Sequence, residues 1–245
     1  MDLFELFFFC GIWLLAGFLN GMTSFGALMF AIPILTFIMD AKEAIVLGCV
    51  TSLAITTPIV FWYRKALPFK EFVLSAITCS AGVPLGIAVL RWAPVNVLLL
   101  ASSAVLITFL LWQAVAVHVQ KCPQAPFWGI IPAGFISGIV MGATGMSGPV
   151  LAMYAVMRRW SKETSLVVIN TMCLFATFFF IYIQWKNGML TLGIMKDSLV
   201  AMPMTALGVL LSFPVLKRTD ARIFRRLLLG MLAFSSIVLI FRAVQ

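Results

Sequence analysis

Residues 134–149, GFISGIVMGATGMSGP, put five glycines and a proline, with Ser137, Thr144 and Ser147, inside an apolar run of membrane grade. A continuous helix is not expected through such a stretch. In lipid, a broken helix frees backbone N–H and C=O groups that find no water, so the break persists only where protein buries it or a polar cavity adjoins it. A binding site within a helical bundle has this character. The competing explanation is that small residues let helices cross closely. An echo, AGFLNGMTSFG, runs from Ala16 to Gly26 with Pro33 beyond it. Two breaks in corresponding places imply two related halves.

The rest of the chain supports a membrane setting. Of its 245 residues 63% are hydrophobic and 10% charged, where soluble proteins carry about 25% charged residues; mean hydropathy is +1.12. At about 20 residues per spanning helix, the expected fold is an all-α polytopic membrane protein. It should hold about 8–10 membrane helices or half-helices, in two inverted repeats with broken helices at the centre. No room remains for a soluble catalytic domain. Asp2 and Glu5 replace the basic region that would open a cleaved signal peptide.

Apolar segments cover 3–21, 26–39, 44–63, 72–90, 95–117, 127–143, 149–157, 164–185, 190–214 and 224–241. The polar break at 118–126, with Pro123 and Pro126, is the natural seam between a first repeat, 1–120, and a second, 121–245. Ala16-Gly17-Phe18 aligns with Ala133-Gly134-Phe135, Gly21 with Gly138, and Lys42-Glu43 with Lys162-Glu163 at a slightly different offset. In each half a broken pair precedes a charged elbow and three long helices.

Basic residues decide the sense of the repeats. If each broken pair crosses twice or not at all, twelve share one face: Arg64, Lys65, Lys70, Lys121, Arg158, Arg159, Lys162, Lys217, Arg218, Arg222, Arg225 and Arg226. Lys42, Arg91, Lys186, Lys196 and Arg242 take the other. A single crossing per pair weakens the split to ten against seven. Because basic residues gather on the cytoplasmic side, the stronger bias implies inverted repeats, with both termini periplasmic. The short arms 26–39 and 149–157 are best read as half-helices meeting near the midplane. The formal net charge of +9 reflects this bias, so no nucleic-acid partner is expected. The basic run KRTDARIFRR should lie on the membrane surface against anionic lipid.

No Asp, Glu, Lys or Arg falls near the centre of an apolar segment. Buried carboxylates mark cation-coupled carriers, and a cationic substrate would find no counter-ion here. An anion needs none, because a helix N-terminus offers unpaired N–H groups and a positive dipole end. The candidate substrate-binding residues are Asn20, Thr23, Ser24, Gly26 and Thr51 from the first half, and Gly142, Thr144, Gly145, Ser147, Gly148, Pro149 and Asn170 from the second. Pro149 stands where a helix restarts, a position that needs no N–H. Asn170 and Thr171, like Thr51 and Ser52, are mid-helix polar residues that serve either as helix-to-helix bonds or as a site wall. Tyr154 and Gln184 are weaker candidates nearer helix ends.

No catalytic residue, metal ligand or cofactor is expected. Cys10, Cys49, Cys79, Cys122 and Cys173 are scattered without C-x-x-C pairing and read as small buried hydrophobes. His118, the one histidine, sits by Gln120 and Lys121 in what reads as a wetted loop. Trp62, Trp92, Trp112, Trp128, Trp160 and Trp185 fall at segment ends, as an interfacial aromatic belt does.

The runs AGFLNGMTSFGALMFAIPIL and AGFISGIVMGATGMSGPVL, each opening a half, resemble the TauE/SafE family of sulfite exporters, also called the toluene-sulfonate-uptake permease family. The resemblance spans essentially the whole chain. It implies a bacterial inner-membrane transporter of small sulfur-containing or organic anions such as sulfite, a sulfonate or sulfoacetate. The first run departs from the family pattern at Ala27 and Leu28, where further glycines are common. The expected function is thus secondary transport, in the export direction, by alternating access around a midplane site, with the anion and membrane lipid as partners. The alternative is a non-transporting membrane scaffold or partner subunit.

Overall fold

The computed structural model describes residues 3–119, 124–218 and 221–244. Lys121 and the side chains of His118 and residues 217–226 lie outside the described residues. The described chain is helical, without strands. Its elements are α1 (Leu3–Thr23), α2 (Gly26–Leu35), α3 (Ala41–Tyr63), α4 (Phe69–Trp92), α5 (Val95–Val119), α6 (Ile130–Thr144), α7 (Gly148–Arg158), α8 (Lys162–Lys186), α9 (Leu192–Arg218) and α10 (Ala221–Val244). Among the described residues, seven helices are long and apolar enough to cross a membrane. The protein is a multi-pass membrane protein.

Helix ends that bond to one another define two faces. On one, the Arg91 face, Lys42 Nζ donates to the Arg91 carbonyl at 3.3 Å and Arg91 meets Asn187 Oδ1 at 3.5 Å, while Arg242 donates to the Thr36 carbonyl. On the other, the Arg158 face, Arg158 pairs with Glu71 at 3.6 Å. Thus α3 runs from the Arg91 face to the Arg158 face, α4 returns, α8 ends on the Arg91 face and α9 leaves from it.

Residues 130–158 begin and end on the same face. Ala125 N donates to the Met157 carbonyl at 3.0 Å, Gln124 donates to the Arg158 carbonyl at 2.6 Å, and the Tyr154 hydroxyl donates to Pro126 and Phe127. The start of α6 is therefore stapled to the end of α7, and the pair is a hairpin that re-enters its own face. With 11 residues, α7 is about 16 Å long, half of a hydrocarbon core of about 30 Å.

The glycines explain how the hairpins are held. A Cβ on Gly134, Gly138 or Gly142 of α6 would strike α4, and one on Gly82 or Gly86 of α4 would strike α6. Contacts advance together along both helices, from Gly134 beside Ser75 and Thr78 to Gly142 beside Val83 and Gly86, so α6 and α4 run parallel. In the same way Gly17 and Gly21 of α1 press on Thr205 and Ser212 of α9. Since lipid tails offer no hydrophobic drive, this close approach and the van der Waals and Cα–H···O contacts it allows hold the helices together. Because α4 and α9 run in opposite directions, α1 and α6 enter from opposite faces.

One expectation needs refining. α6 continues unbroken through Gly134, Gly138 and Gly142, and the break occupies only residues 145–147. Three of the five glycines serve close crossing, and Gly145 and Gly148 serve the break. Laying α1–α5 on α6–α10 exchanges the α1–α9 seam with the α6–α4 seam and the α3–α9 contact with α8–α4, and it maps α3–α8 and α5–α10 onto themselves.

Candidate functional site

The two breaks meet inside the bundle. Gly145 takes φ +77° and ends α6 with its N–H on the Met141 carbonyl at 2.8 Å. Its neighbours are Ile32 of α2 and Cys49 and Ile45 of α3. Gly148 lies so close to Phe25 that a Cβ there would overlap the ring-bearing carbon. Phe25 is held in turn by Phe109 of α5, edge to face with ring centroids 5.1 Å apart.

The first break is tied internally. Thr23 Oγ1 accepts from Gly26 N at 2.9 Å and Phe25 N at 3.4 Å, and Asn20 Oδ1 accepts from Ala27 N at 3.3 Å. These bonds satisfy donors at the N-terminus of α2 that the helix leaves open. Ser24 is carried into the left-handed region at φ 78°, which costs a non-glycine residue about 1–2 kcal/mol.

From α8, Asn170 closes the arrangement. Its Nδ2 donates to the Leu166 carbonyl at 2.8 Å and the Ser24 carbonyl at 3.3 Å, and its Oδ1 accepts from Asn20 Nδ2 at 3.1 Å. One turn along, Cys173 Sγ lies 3.9 Å from the Thr177 hydroxyl. Ser52 and Thr177 join α3 to α8 at 3.1 Å.

Between these groups is a hollow of about 30 Å³, the room of a single water molecule. Its wall includes Asn20, Ser24, Gly145, Ser147, Gly148 and Asn170, and no charged side chain. An oxyanion would fit only after the walls part. The N-terminus of α7 opens on the hollow at Gly148, and Ser147, its N-cap, accepts no bond from the helix. An anion is favoured at such an end by the helix dipole and the open N–H groups together.

Six other sequence candidates stand behind this wall or apart from it. Thr23 caps α2, and Gly26 begins it. Thr144 bonds back to the Val140 carbonyl and accepts from Met146 N, holding the turn. Pro149 occupies the first turn of α7, and Gly142 lies against α4. Thr51 is buried without a hydrogen-bond partner, while its neighbour Ser52 faces the hollow. The wall also contains Phe25, Thr56, Met146 and Cys173, which sequence reasoning did not single out as site residues. Thr56 and Cys173 were detectable, since they follow Ser52 and Asn170 by four and three residues and so share their helix faces.

A family model described as Sulfite exporter TauE/SafE matches residues 9–239 of the chain. No curated protein and no solved structure matches it.

Proposed function

The chain belongs to the TauE/SafE sulfite exporter family, a family of membrane transporters, and we propose that it carries a small oxyanion, sulfite or an organic sulfonate such as sulfoacetate, by alternating access. One observation carries this reading. The free N-terminus of α7 and the amides of Asn20 and Asn170 converge on a buried hollow with no charged side chain. Such a site attracts negative charge through dipoles and N–H donors, and it offers a cation no counter-ion.

In this reading residues 1–120 and 121–245 are two inverted repeats, each contributing one re-entrant hairpin. The packing scheme, which maps onto itself when the halves are exchanged, supports that division. The Arg158 face carries Arg64, Lys65, Lys70, Arg158, Arg159 and Lys162, so it is the cytoplasmic face of a bacterial inner membrane and both termini are periplasmic. Export then runs from the Arg158 face to the Arg91 face.

Counterflow in proteoliposomes tests the proposal. Vesicles preloaded with unlabelled sulfite or sulfoacetate should accumulate the radiolabelled anion transiently, and protein-free vesicles should not. Folded protein that gives no counterflow with any small oxyanion would remove the transport reading in favour of a scaffold.

A further inference from the structure

Among the described residues, the buried side chains of Trp13, Thr51, Ser137 and Gln184 have polar atoms without a partner, and Gln184 leaves both of its own unmet. Gln184, two residues from the end of α8, is fully buried, and neither its Oε1 nor its Nε2 has a hydrogen-bond partner. A primary amide carries two donors and an acceptor, and leaving them unmet in the interior costs several kcal/mol. A membrane protein keeps such a group where another conformation, water or a solute satisfies it.

Its position says which. Asn170, Thr177 and Gln184 follow at intervals of seven residues, which in a helix of 3.6 residues per turn brings them back to nearly one face. Asn170 touches the hollow, and Thr177 bonds to Ser52 of α3. Gln184 therefore lies on the α8 face turned toward α3, about 10 Å beyond Thr177 toward the Arg91 face. The hollow's α8 wall is Ile169, Asn170 and Cys173 and its α3 wall is Ser52, Ile55 and Thr56. With the two helices antiparallel, the Ser52–Thr177 bond is the hollow's boundary on the Arg91 side.

The mouth of the same seam carries charges of both signs. Lys42 at the start of α3, Arg91 at the end of α4 and Asn187 after α8 are linked there. Asp40 is engaged as the N-cap of α3 through Lys42 N, and Glu43 is exposed.

We infer that the anion's path between the site and the Arg91 face runs along the α3–α8 seam, with the Ser52–Thr177 hydrogen bond as its gate and Gln184 as the amide that the solute and its water meet beyond the gate. This rests on the transport reading and adds the route. As α3 and α8 separate, Gln184 gains the partners it lacks when they are closed.

Cys173, on the hollow's wall, is a reporter that needs no substrate. With Cys10, Cys49, Cys79 and Cys122 replaced by alanine, a membrane-impermeant, sulfonate-bearing methanethiosulfonate is added to right-side-out or inside-out vesicles, and the rate of Cys173 modification is followed. From the Arg91 face, Thr177→Val should raise the rate severalfold. Gln184→Leu, which replaces the amide by an apolar group of similar volume, should lower it about tenfold, the scale of losing one hydrogen-bonding group. Gln184→Asn should retain most of the rate. From the Arg158 face all three should match the parent.

Equal slowing from both faces by Gln184→Leu, an unchanged rate in a variant whose melting temperature shows it folded, or no modification from either face in any variant would each overturn the route. The anion reading is judged separately, by whether sulfite or sulfoacetate protects Cys173. Protection with a silent Gln184→Leu keeps the site and discards the route, whereas side-specific slowing without protection keeps the route and discards the anion.

Discussion

The two breaks occupy matching places in the fold and are built differently. At the first, Asn20 and Thr23 reach forward to the N–H groups of Phe25, Gly26 and Ala27, so the start of α2 is largely satisfied from within. At the second, Thr144 reaches only Met146 N, Pro149 has no N–H, and Ser147 leaves the start of α7 uncapped. On the transport reading, the first break is a framework and the second is the receptor. Recognition of an anion should thus be concentrated at α7, while changes at α2 should be felt mainly as stability.

The sharpest way to break this contrast is at the first glycine of each half-helix. Gly148→Ala puts a Cβ into Phe25, whereas Gly26→Ala crowds the Thr23 hydroxyl and otherwise makes ordinary contact with Leu19. Counterflow should fall at least about a hundredfold for Gly148→Ala, the scale set by about 3 kcal/mol of overpacking. Gly26→Ala should cost a few-fold, and equal losses would mean that the breaks are equivalent. Next in size is Asn170→Asp, which sets a negative charge beside the proposed anion. The apparent KM for sulfite should rise about tenfold or more, since like charges in a site of low polarity repel by over 1 kcal/mol.

A smaller effect separates the two caps. Ser147→Ala should weaken anion binding severalfold in a thermal-shift titration, with little change in the melting temperature of the free protein. Thr23→Ala should do the reverse, losing about 1 kcal/mol of stability with affinity nearly kept. The least change is expected from Ser24→Gly, which relieves the left-handed φ of 78° and should raise the melting temperature by the equivalent of about 1 kcal/mol. A lowered melting temperature would show that the serine side chain contributes more than its backbone conformation costs.

The breaks and the absence of central charge were legible because both are matters of residue type. What a glycine is for was not. Gly142 and Gly145 are three residues apart, yet one allows α4 to approach and the other adopts a φ that side chains avoid. Sequence records only the missing Cβ that both uses share. Ser24 shows the converse, because a serine gives no warning of a left-handed conformation. Thr51 and Ser52 are adjacent, but 100° of helical rotation turns one into packed surroundings and the other toward the hollow. Re-entry is not fixed by the sequence, because short apolar arms fit a pair of half-spans as well as a hairpin. The staple between residues 124–127 and 154–158, which decides it, is made largely by backbone groups that every sequence possesses.

The glycine seams carry a consequence for how the molecule is made. Each hairpin finds its closest neighbour in the opposite half of the chain, α1 on α9 and α6 on α4. As the ribosome feeds the bilayer, α6 meets an α4 that has already been inserted, but α1 is released long before α9 exists. The earliest hairpin must wait with its small-residue face against lipid until nearly the last helix arrives, so the molecule is sewn shut from its final stitch.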